Sequence, residues 1–113
     1  MSCVFCKIIS REIPAKVIAE TDDILVIADR APSAPIHYLI MPKKHVADLS
    51  SLTQVDSISA GNILVMAQQL SQETTTAKNF KLVINNGAGA GQSVFHLHAH
   101  FLAGFTGPAD HVL

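Results

Sequence analysis

The sequence predicts an α+β fold: a mainly five-stranded antiparallel sheet with one long helix and a short N-terminal helix. Two observations carry this. Five short apolar runs rich in β-branched and aromatic residues follow one another, the first pair in hairpin-length steps. Between the third and fourth, the apolar spacing changes to that of a helix. A third observation sets the scale. The 113 residues, 49% of them hydrophobic, suit one domain over 1–113 with a real core and no second domain.

Val4 to Ser10 is apolar with one Lys7 and suits one or two helical turns, broken at Ile13-Pro14. Val17–Glu20 has strand composition, and Thr21-Asp22-Asp23 is a turn cluster. Ile24–Ala28 is a β-branched run that reads as a buried strand and completes a hairpin. Asp29 and Arg30 end it in polar residues, and Ala31–Pro35 is a loop with two prolines. His37–Met41 is a third strand, stopped by Pro42 and followed by polar Lys43-Lys44-His45. Thr53 and Asp56 resemble a capping box, and the helix is expected from about Gln54 to about Gln72. Val55, Ile58, Ile63, Met66 and Leu70 are expected near one face of it. Thr74–Thr76 ends it. Phe80–Asn85 is the fourth strand, Asn86–Ser93 a flexible glycine-rich loop, Phe95–Leu102 the fifth strand, and Ala103–Leu113 an irregular tail.

The charges exclude some functions. Eight Lys and Arg against nine Asp and Glu leave a formal charge of −1, which gives no electrostatic case for nucleic acid or an anionic membrane surface. Charged residues are 15%, low against about 25% in typical domains. A surface so short of charge suits burial against a second copy, a homodimer. No apolar run approaches the roughly 18 residues of a membrane span, and no secretory signal is visible. The expected location is the cytoplasm.

Three of the six histidines fall in five residues, His96-Leu97-His98-Ala99-His100. On a strand, alternate side chains share a face, about 7 Å apart. The three imidazoles would point one way, with Leu97, Ala99 and Phe101 facing a core. A row of imidazoles suits proton transfer, nucleophilic attack or metal binding near neutral pH. Gly87, Gly89 and Gly91 precede it in a loop able to aim successive N–H groups at a phosphate. No Lys follows these glycines, so the loop is no P-loop. The Cys3-x-x-Cys6 pair reads as half a metal site, since a redox motif of this spacing needs a preceding strand.

His96 to Leu102 resembles the H-φ-H-φ-H-φ-φ motif of the histidine triad superfamily. Gly91-Gln92-Ser93-Val94-Phe95 resembles the phosphate-binding approach of its Hint-like branch. Pro35–His45 resembles that branch's second signature, and Phe5–Ile9 with Glu12-Ile13-Pro14 its N-terminus. The resemblance implies a homodimer that binds a purine nucleotide derivative. It also implies cleavage of a phosphoramidate or phosphoanhydride bond at the α-phosphate. His98 would be the nucleophile, forming a nucleotidyl-histidine, with its other nitrogen held by the His96 carbonyl. His100 and Ser93 would bond the phosphate or help protonate the leaving group, with the Ser93 and Val94 N–H groups as a clamp. Asn85 and His37 match positions near phosphate and triad, and Asp29 matches the ribose-binding carboxylate. Val4, Phe5, Ile8, Ile13 and Ile27 would form the base pocket. Arg30 departs from the pattern, which has an apolar residue beside the base. The tail lacks the branch's Trp-Pro-Pro-Gly ending.

The same resemblance implies a structural zinc ion on Cys3, Cys6, His45 and His96, and no organic cofactor. Two other functions compete. An H-x-H strand also forms the metal site of small β-barrels, but that site recruits a downstream Glu, and none follows Glu73. A non-catalytic nucleotide-binding or partner-adaptor module could use the same pocket. All three triad histidines are intact, which favours an enzyme.

Overall fold

The computed structural model describes residues 3–106. Its strands are β1 (Val17–Glu20), β2 (Ile24–Ala28), β3 (Ile36–Pro42), β4 (Phe80–Val83) and β5 (Ala99–Ala103), with helices α1 (Val4–Ile9) and α2 (Ser57–Ser71). They form one sheet in the order β1-β2-β3-β5-β4, antiparallel throughout. The first three strands are a meander. The chain then leaves through α2 and returns so that β5 inserts between β3 and β4. Leu39 thereby faces His100 and Ile40 faces Ala99.

Each face of the sheet carries a helix. Ile24 and Val26 pack with Ile63, Met66, Ala67 and Leu70 of α2. Leu25 and Ile27 pack with Phe5 and Ile8 of α1. Strand β2 is therefore apolar at every position because both of its faces are covered. Asp23, in the β1–β2 turn, ties that hairpin to α2 by accepting hydrogen bonds from Asn62 Nδ2 at 2.8 Å and Ser59 Oγ at 3.2 Å. Those bonds, with Asn62 first, hold its carboxyl below the ordinary 3.8.

Several boundaries differ from expectation. Gln54–Asp56 is a 3₁₀ turn closed by the Thr53–Asp56 capping box, and α2 proper begins at Ser57. Val55 and Ile58 are 83% and 76% exposed rather than part of the core stripe. Ile58 lies five residues before Ile63, which places it about 140° around the helix from the buried row. Strand β4 stops at Val83. The expected strand Phe95–Leu102 becomes Ala99–Ala103, whose pairing with β3 stops at Ile40 opposite Ala99, two residues before β3 itself ends at Pro42. Residues 95–98 peel away instead. The Leu97 N–H bonds to the Val46 carbonyl at 2.7 Å. The tail beyond Thr106 lies outside the described residues.

Candidate active site

The segment that peels off the sheet carries the first two triad histidines, and local hydrogen bonds set the tautomer of each ring. His96 is fully buried, and its Nε2–H donates to the Pro42 carbonyl at 2.7 Å. In the neutral ring its Nδ1 then carries the lone pair, which faces the Cys3 and Cys6 thiols. Burial lowers its pKa below 6.5, against the opposing pull of the Pro42 carbonyl. His98 donates from Nδ1 to the His96 carbonyl at 2.8 Å, so in the neutral ring Nε2 is the nitrogen with the lone pair. The Phe5 ring meets His98 edge to face with centroids 5.0 Å apart. Alternation survives the irregular backbone: Leu97, Ala99 and Phe101 lie in the core under α2, while the histidines face α1.

His100 takes its tautomer from a residue 63 positions away. The Ser33 N–H donates to His37 Nδ1 at 2.9 Å, which requires the proton of neutral His37 on Nε2. His37 Nε2 lies 2.9 Å from His100 Nδ1 and 3.3 Å from Asp29 Oδ2. His37 therefore donates to His100, and His100 carries its own proton on Nε2. Burial first, then the neighbouring His98 and His37, lower the His100 pKa below 6.5, with Asp29 opposing. Asp29 sits just past β2. Its Oδ1 accepts the Ala31 N–H at 2.8 Å.

A cleft of about 490 Å³ joins these groups. Val4, Phe5, Ile8, Ile13 and Ile27 line its apolar part, Asp29 and Arg30 one side, and Ser93, Val94, His98 and His100 another. Lys16 also lines it. No motif marked this lone lysine in the sequence, nor the roles of Ser33 and the Pro42 carbonyl. Gly91 closes the short 3₁₀ turn Ala88–Ala90 with φ +96°, and Gly87 opens it with φ +93°. Both angles favour glycine. Gln92 does not present its side chain to the cleft. Its Oε1 accepts the Gly87 N–H at 2.8 Å, and its Nε2 donates to the carbonyls of Ala47 and Val94 at 2.8 and 3.0 Å. Gln92 thus shapes the loop that bears Ser93. Asn85 is half-buried with its amide beside Gly91 and does not line the cleft.

Beside the cleft, Cys3, Cys6, His45 and His96 converge, with potential ligand atoms all within 4.8 Å of one another. Cys3 Sγ lies 3.5 Å from His96 Nδ1, and Cys6 Sγ lies 3.3 Å from His45 Nδ1 and 3.6 Å from His96 Nδ1. Zinc–sulfur and zinc–nitrogen bonds at tetrahedral angles place S and N about 3.5 Å apart, so this donor set fits zinc. Burial, then the adjoining Cys3 thiol, raise the Cys6 pKa above 9.0. Two thiols this close ionise together most readily around a cation.

The sequence profile of the HIT domain matches residues 10–107. The chain belongs to the HIT domain family. An uncharacterized HIT-like protein of Synechocystis sp. is 46% identical over 101 residues, covering 89% of each chain. A HIT family hydrolase from Legionella pneumophila Philadelphia 1 superposes with TM-score 0.88 at 42% identity, over 96% of this chain and 98% of that one. A Zn-bound histidine triad family protein from Mycobacterium smegmatis does so with TM-score 0.84 at 33% identity, over 96% and 79%. Cys3 and Cys6 fall outside the residues that define the HIT match, while His45 and His96 fall within it.

Proposed function

We propose that this HIT protein is a nucleotide hydrolase. It cleaves a phosphoramidate or phosphoanhydride bond at the α-phosphate of a nucleoside monophosphate derivative, through a nucleotidyl-histidine. The observation that carries the reading is the His98 hydrogen bond to the His96 carbonyl, which in the neutral ring puts the lone pair on Nε2 at the cleft. The hydrolase similarity of the Legionella protein supports the reaction class. In the proposed complex a purine fills the apolar part of the cleft, and the Asp29 carboxylate accepts from the ribose hydroxyls. The Ser93 hydroxyl, the Ser93 and Val94 N–H groups and the His100 Nε2–H donate to the phosphate. His98 Nε2 attacks phosphorus. The bond to the leaving group breaks with its electron pair on the departing nitrogen or oxygen, and a departing amine takes a proton from solvent. Water then attacks the phosphorus, the pair returns to His98, and the water's proton is released.

Zinc, held by Cys3, Cys6, His45 and His96, supplies structure rather than chemistry, since four protein ligands leave no position for water. The Zn-bound relative supports this assignment. His96 then joins two tasks: its ring holds the metal and its carbonyl orients the nucleophile.

The test is rapid alkaline quenching of a reaction with a radiolabelled nucleoside 5′-phosphoramidate. Expected is an acid-labile nucleotidyl adduct on His98, absent in His98→Ala, whose turnover should fall by several orders of magnitude while nucleotide binding persists. Near wild-type turnover in His98→Ala overturns the mechanism. Nucleotide binding with no turnover by the wild type would mark a binding module instead.

A further inference from the structure

Neighbouring strands bring Asp29, just past β2, together with His37 of β3 and His100 of β5. Potential ligand atoms of the three all lie within 4.8 Å of one another. His37 Nε2 is 2.9 Å from His100 Nδ1 and 3.3 Å from Asp29 Oδ2. Donor atoms about 2.0–2.1 Å from one metal ion lie about 2.9 Å apart at a right angle and about 3.4 Å apart at the tetrahedral angle. Both separations suit two neighbouring ligands of one ion.

We infer that Asp29, His37 and His100 form a second divalent-cation site, which takes zinc or a cation of like softness and thereby inhibits nucleotide binding. The site shares no residue with the Cys3, Cys6, His45 and His96 cluster. Its existence is independent of the proposed hydrolysis, and only the inhibition rests on the nucleotide reading. Two imidazoles and one carboxylate suit zinc rather than magnesium, which prefers oxygen ligands and water. Three protein ligands leave coordination positions open, so the cation is exchangeable rather than structural. Asp29 and His100 line the cleft, which gives the ion its way in. Two of the three donors are already prepared. Asp29 Oδ1 accepts the Ala31 N–H, which leaves Oδ2 for the cation. His100 keeps its proton on Nε2 and offers the Nδ1 lone pair. His37 must change. A neutral imidazole bound through Nε2 carries its proton on Nδ1, where His37 accepts the Ser33 N–H at 2.9 Å. Ser33 is exposed in a loop, and its N–H can turn to water instead. That exchange, with the Lys16 and Arg30 cations on the same cleft, makes this site weaker than the thiolate cluster. The inhibition follows from Asp29. Its carboxylate is the proposed acceptor of the ribose hydroxyls, so cation and ribose compete for one group.

The experiment is calorimetry on the full chain, first brought to one zinc per chain and then titrated with further Zn²⁺ in excess Mg²⁺. The wild type should take up a second, weaker equivalent. His37→Ala and Asp29→Asn should each weaken that second event at least about tenfold, the least expected for loss of a direct ligand. Both variants should retain the first zinc, which shows that they fold. Absence of a second event in the wild type overturns the site, as does an unchanged second event in both variants. Adenosine then tests the inhibition, since it carries the ribose and has no phosphate to chelate zinc. Saturating adenosine should weaken the second zinc several-fold in the wild type. Zinc and adenosine binding independently of each other overturns the inhibition. Should adenosine fail to bind while the second zinc binds and is lost in the variants, the site stands and the nucleotide reading fails.

Discussion

His100 shows how much a single proton position matters in this cleft. His37 donates to its Nδ1, so protonating His100 places two donors face to face at 2.9 Å. Burial adds to the penalty and is the larger cause of the lowered pKa. The sign follows from linkage. Above 6.5 the ring is neutral in folded and unfolded chains alike. As pH falls below 6.5 the unfolded chain binds the proton first, so stability declines until the depressed folded value is reached. Melting temperature should therefore drop as pH goes from 7.5 toward 5, and His100→Gln should flatten part of that slope. A slope identical in the variant would assign the decline to other groups.

At the scale of elements, α2 is held by packing rather than by helix propensity. Ile63, Met66, Ala67 and Leu70 are buried, while Gly61 is exposed in mid-helix, with nothing within 4 Å of the place a Cβ would occupy. Gly61→Ala should then stabilise the chain by about 0.5–1 kcal/mol, through the smaller backbone entropy of the unfolded state. Urea denaturation measures this, and a loss of stability would mean that the exposed face is covered. The short helix α1 has a different support. It contributes Phe5 to the edge of His98, and its start carries the two thiols of the metal-ligand cluster. Elemental analysis of protein purified without chelators should find about one zinc per chain. Cys3→Ser should lower the melting temperature, and zinc affinity should fall at acid pH because the thiols must ionise to bind. A metal content near zero would leave α1 to be held by Phe5 and Ile8 alone.

For the whole molecule, the uncovered apolar surface matters most. Leu64 and Val65 on α2 are 62% and 51% exposed, and Phe80 and Val83, the first and last residues of the edge strand β4, are part-exposed. An open edge strand with exposed apolar residues pairs readily with another chain. A homodimer would cover both features, and sedimentation at micromolar concentration should give about twice the 12.1 kDa of one chain. A sedimenting species of one chain's mass would mean that these residues stay in water.

Sequence alone determined what depends on near neighbours. Alternation put Leu97, Ala99 and Phe101 in the core and the triad histidines opposite, and the triad with its flanks was legible as a motif. The order of strands and helices also followed from local runs, because turn residues and apolar period act over a few positions. The tertiary structure decided what depends on meetings between distant segments. Strand β3 pairs with β5, so His37 reaches His100 across 63 positions and sets its tautomer. The β3–β5 pairing stops at Ile40 opposite Ala99, and beyond it the Pro42 carbonyl accepts from His96 on the segment that leaves the sheet. Gln92 turned inward to hold its loop, and Val55 and Ile58 turned out to water, because three-dimensional surroundings and angular position decide burial.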